Sequence, residues 1–105
     1  MIAHPLPSGA DAAKHTPEAI VDRIAASGAR CVKVFIENGF GDRSDWPMLS
    51  ADTLRRVKTA ARKQKLPVIA HANAIDMQRI ALDAQVDVLA HGLWNWNEHT
   101  AEKGV

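Results

Sequence analysis

Apolar residues recur at helical spacing in three stretches of the chain, and three short apolar runs lie between and after them. Ile20, Val21 and Ile24, extended by Ala25, mark the first stripe; Leu54, Val57, Ala60 and Ala61 mark the second. Met77, Ile80, Ala81 and Ala84 mark the third, in a helix expected over 75–85. The runs at 30–36, 67–71 and 86–91 are short and mostly apolar, and the first is rich in β-branched residues. That pattern predicts strands of a parallel sheet, where both faces are usually covered. The predicted order is α-β-α-β-α-β, an α/β chain with right-handed crossovers.

Local signals mark the ends of these elements. Thr16 can cap the first helix, Pro17 suits its first position, and Glu18 sits in the positive first turn. Gly28 is a natural terminating residue. Ser50 caps the second helix, with Thr53 where a capping box would have Glu. Arg55, Arg56, Lys58, Arg62, Lys63 and Lys65 are read as one solvated basic face. Pro5, Pro7 and Gly9 leave residues 1–16 irregular, and a glycine- and proline-bearing loop spans 37–49.

Composition narrows the function classes. Lys and Arg number 13 against 12 Asp and Glu, a net charge of +1, so no bulk field attracts nucleic acid or an anionic membrane. The single cysteine, Cys31, excludes an internal disulfide framework and is read as core packing. No apolar run approaches the ~18 residues of a spanning helix. No basic segment followed by an apolar one opens the chain, so the cytoplasm is the default expectation. At 105 residues, one small domain is expected, well short of the ~250 residues of a closed (β/α)₈ barrel.

Two similar segments carry the chemical signal. Val68-Ile69-Ala70-His71-Ala72 is echoed by Val88-Leu89-Ala90-His91-Gly92, placing the two histidines one αβ unit apart. Each stands where an apolar strand meets its following loop, the end at which parallel α/β sheets hold ligands. Neighbouring strands lie ~4.8 Å apart, within reach of one small ion for both imidazoles. On the first strand, Cys31, Lys33 and Phe35 share a face, which directs Lys33 toward an apolar interior. Burial lowers a lysine's pKa, and the neutral amine can take up carbon dioxide as a carbamate, an anionic oxygen ligand.

Lys33, His71 and His91, on successive αβ units, resemble the middle of a metal-dependent amidohydrolase of the prolidase-like or imidazolonepropionase-like kind. The resemblance rests on Val32-Lys33-Val34, the glycine-bearing loop from Gly39 to Ser50, Pro67 to His71, and Val88 to Gly92. It implies a partial (β/α)₈ TIM barrel over residues 17–93, supplying strands four to six, with a tail at 94–105. It further implies that carboxylated Lys33 bridges two divalent metals, with zinc the usual ion, and that His71 and His91 bind the second. The implied activity is hydrolysis of amide, peptide or other C–N bonds, including cyclic ones, of a small-molecule or peptide substrate by a metal-activated water.

The family's His-x-His pair is absent from the sequence, and no aspartate fits its final-strand role, so the isolated chain is expected to be inactive. Where the family has Ala-Gly before the sixth strand, this chain has Ala84-Gln85, less easily accommodated in a left-handed turn. Glu37, on the Lys33 face, is a candidate partner for the metal ligands or an alternative ligand. Trp46, Asn73 and Trp94 are candidates for lining a substrate pocket. The competing expectation is a non-catalytic α/β interaction or assembly module that self-associates through open sheet edges.

Overall fold

The computed structural model describes residues 6–39 and 45–93. A single 3₁₀ turn, Ala12–His15, precedes the first helix; Asp11 caps it by accepting from the Ala13 N–H at 3.0 Å. It buries nothing, so a segment expected to be irregular gains order from hydrogen bonds: the local Asp11 cap and a bond from the Arg23 guanidinium on the following helix to Lys14 O. Helix α1 spans Pro17–Ala26, strand β1 Val32–Phe35, helix α2 Ala51–Lys63, strand β2 Val68–His71, helix α3 Ile75–Asp83 and strand β3 Val88–Leu89. The three strands are parallel, in the order β1-β2-β3.

The caps form as the sequence predicts. Thr16 accepts from the Ala19 N–H at 3.1 Å, and Ser50 accepts from the Thr53 N–H at 3.0 Å. The Ser50 hydroxyl also donates to Thr53 Oγ1 at 2.9 Å, a side-chain bond in place of the bond to the Ser50 N–H that a capping-box Glu makes. Helix α1 ends at Gly28 with φ 85°. Helices α2 and α3 end through Lys65 and Gln85, both at φ 58°. In each, the next residue closes the turn: Leu66 N–H donates to Ala61 O at 2.9 Å, and Val86 N–H to Ala81 O at 3.1 Å. The left-handed turn is therefore kept at Gln85 without the glycine that would ease it.

All the helical stripes pack on one face of the sheet. Val32, Val34, Val68 and Ala70 are fully buried with Val21, Leu54, Val57 and Met77. An unbroken strand order with right-handed crossovers brings successive helices to the same side. The opposite face carries Lys33 and Val88, both exposed, with Cys31, Phe35 and Ile69 half-buried. Among the described residues, helices thus cover one face of the sheet, where the apolar runs had predicted cover on two. Lys33 lies on the open face, so the burial expected of it is not met, and Cys31 is only partly packed.

Lys58 departs from the solvated face assigned to it. Its side chain is 11% exposed, and its ammonium donates to Asp87 Oδ2 at 2.5 Å. The same oxygen accepts from the Val68 N–H at 2.7 Å, while the Asp87 N–H donates to Val68 O at 2.9 Å. Asp87 therefore ties α2 to the first residue of β2, at the N-terminal end of the strands. Its side chain takes the backbone donor that a strand carbonyl would otherwise take. That explains why β3 begins only at Val88, two residues later than predicted.

Candidate functional site

The C-terminal ends of the strands bring several of the singled-out residues together. Phe35 and His71 are paired in register, and the Ile36 N–H donates to His71 O at 2.8 Å, fixing the backbone beneath the imidazole. The Phe35 ring stacks on the His71 ring with centroids 4.2 Å apart and planes 15° from parallel. Two residues beyond Phe35, on the same face, Glu37 places Oε2 3.3 Å from His71 Nε2. Its other carboxylate oxygen accepts from the Asn38 N–H at 3.2 Å. Both side chains are buried, 5% exposed for Glu37 and 8% for His71.

His91 reaches the same place from β3. Its ring meets that of His71 edge-on, with centroids 5.0 Å apart and planes at 78°. The two histidines are not level, because Ala70 pairs with Leu89 and not with its echo Ala90. The bend at 90–91 lets the second imidazole swing against the first. His91 is solvent-exposed, so the pair spans from buried to open.

Electrostatics favour a neutral His71. Burial pushes its pKa down, the Glu37 hydrogen bond and charge oppose this, and the charges of His91 and Lys33 push it down further. An imidazole without its second proton keeps one nitrogen lone pair, as metal ligation or base chemistry needs.

Around this centre, Asn73 is buried and its Oδ1 has no hydrogen-bond partner. Trp46 is half-buried, and its backbone N–H donates to Asn38 O at 2.8 Å, bringing the loop back beside Glu37. Trp94 and the rest of the tail lie outside the described residues. Glu37 and His91 each contact His71, and the charge of Lys33 acts on His71 from the exposed face. Phe35 was missed as a site residue, although the alternation that placed Glu37 with Lys33 puts Phe35 between them. Among the described residues, no group of three or more His, Cys, Asp or Glu is arranged to hold a metal ion. None of the described helices is long and apolar enough to cross a membrane. No family model, curated protein or solved structure matches the chain.

Proposed function

We propose that this chain is a segment of a metal-dependent hydrolase of the amidohydrolase kind, contributing three successive strands to a (β/α)₈ barrel. The observation that carries the reading is the meeting of His71 and His91 at the C-terminal ends of adjacent parallel strands, 5.0 Å apart between ring centroids. One-sided helix cover supports it too, since a barrel lets one face of its sheet be lined by side chains from opposite strands. The donor set fits half of a centre: two imidazoles suit zinc, and among the described residues no group of three His, Cys, Asp or Glu completes it.

In this reading, His71 and His91 hold one divalent ion, and Lys33 is the site of carbamate formation once a facing wall desolvates it. When bound, the metal lowers the pKa of a water and polarises the scissile carbonyl of an amide, peptide or cyclic C–N bond. The chain's own residues orient and shield: Glu37 and Phe35 fix the His71 ring, while Asn73 Oδ1 is an acceptor for a substrate N–H. Trp46 forms part of the wall of the pocket.

Zinc content after supplementation and desalting tests the proposal, with the H71A/H91A double variant alongside. About one zinc per chain, lost in the variant, supports the hydrolase reading. A folded, zinc-free protein of defined stoichiometry favours the second reading, a non-catalytic assembly module. Val88, 47% exposed on the open face of the sheet, is the observation behind that alternative.

A further inference from the structure

We propose that Asn38-Gly39 is a spontaneous modification site, where the chain converts its own asparagine to aspartate or isoaspartate beside Glu37. The reacting atoms are the Gly39 backbone nitrogen and Asn38 Cγ, and a bond between them closes a five-membered ring. Attack within one chain needs no second molecule to be brought into place. A side chain on the following residue would crowd that attack, and Gly39 has none. Its φ of 149° lies where side-chain-bearing residues are rarely found, so the native backbone itself depends on the glycine.

The fold leaves the pair open to this reaction. Both residues follow β1, outside helix and strand, and both are partly exposed, so water reaches them. The main-chain bonds of Asn38 engage other atoms: its N–H donates to Glu37 Oε1 at 3.2 Å, and its carbonyl accepts from the Trp46 backbone N–H at 2.8 Å. Among the described residues, no hydrogen bond occupies the Gly39 N–H. Asn73 is the internal contrast. It is 6% exposed, and the next residue is buried Ala74, whose carbonyl accepts from the Gln78 N–H at 2.9 Å where α3 begins.

Water is the one co-reactant. The Gly39 N–H gives its proton to a solvent base as the nitrogen bonds to Asn38 Cγ. The Cγ–Nδ2 bond then breaks, and the amide nitrogen takes a proton from water and leaves as ammonia, giving a succinimide. Water opens the ring at Cγ to give aspartate, or at the main-chain carbonyl carbon to give isoaspartate. No atom is oxidised or reduced. Either product adds a carboxylate next to Glu37 and takes the formal net charge from +1 to zero. Isoaspartate also adds one carbon to the main chain, between the N–H that holds Glu37 and the loop that returns at Trp46. The modification does not rest on the hydrolase reading.

Timed peptide mapping tests the proposal on the full chain, with no variant required. Folded and guanidinium-unfolded samples are held in mildly alkaline buffer, quenched with acid, digested with trypsin and weighed by mass spectrometry. Asn38 lies in the peptide 34–43 and Asn73 in the peptide 66–79. The peptide 34–43 is expected to gain one mass unit at the same pace in the folded and unfolded samples. Electron-transfer fragmentation is expected to place isoaspartate at position 38. The peptide 66–79 should keep its mass in the folded sample. On isoelectric focusing, a band more acidic by one charge should grow in step with the first change. An unaltered 34–43 peptide from the folded chain, or a gain confined to the unfolded sample, overturns the proposal. Conversion of Asn73 as fast as Asn38 in the folded chain overturns it too, because exposure and the following glycine would then decide nothing.

Discussion

Replacing Asp87 with alanine removes one oxygen that serves two donors. The Lys58 ammonium loses its counter-charge while 11% exposed, and the N–H of buried Val68 loses its partner. Hydrogen bonds to charged groups contribute ~1.5–3 kcal/mol, whereas exposed ion pairs contribute ~0.2–1 kcal/mol. Asp87 is 40% exposed, so water screens its end of the pair and the lower part of the first range applies. The expected loss is about 2 kcal/mol, which lowers a urea midpoint by about 1–2 M at the m-values of small domains. D87N keeps an oxygen for Val68 and loses the charge, so about half the loss is expected. K58M keeps the packed stem, and the K58M/D87A cycle should show a coupling of about 1 kcal/mol.

The pH dependence has a definite sign. The Lys58 ammonium and then the Val68 N–H hold the Asp87 carboxyl below the usual carboxylate range. Its contribution is therefore complete above the unfolded value of ~3.9 and is lost as pH falls through the lower folded value. The stability gap between wild type and D87N should be flat from about pH 7 to 5 and close below about pH 4. A D87A loss under about 0.5 kcal/mol, or strict additivity with K58M, would refute the clamp.

Two further stability changes follow from backbone and core. Gln85→Gly should stabilise by about 1 kcal/mol, because φ 58° strains a side-chain-bearing residue. Gly28→Ala should cost a similar amount, all of it backbone strain, since a Cβ there meets nothing within 4 Å; thermal midpoints of both variants check the pair. Leu54→Ala empties a fully buried position under the sheet and should cost ~2–5 kcal/mol by urea denaturation.

Element order was legible because periodicity and caps agree: Thr16, Pro17 and Ser50 announced their helices, and Leu54, Val57 and Met77 announced the core. The convergence of His71 and His91 was legible from their echoed contexts. Their stagger was not, because register is set by backbone pairing and two similar segments need not lie level. The exposure of Lys33 was misread for a related reason. Apolar residues on both sides of β1 suggested two covered faces, but every helix returns to the same side. Lys58 looked like one more surface cation, and its burial against Asp87 distinguishes it from Arg55 three residues away on the same helix. The Glu37–His71 contact joins positions 34 apart in sequence, which no local pattern reports.

The placement of the Asp87 clamp at one end of the strands and the histidine pair at the other has an evolutionary consequence. From Val68 to His71, β2 rises ~10 Å, so the two groups share a scaffold without sharing partners. Substitutions that far apart act nearly independently. A library selected for resistance to unfolding should therefore accumulate changes around Asp87, Lys58 and the helix ends. One selected for ligand capture should change the sequence around Glu37, Asn73 and His91. Robustness acquired at the first end leaves the second free to drift toward new chemistry.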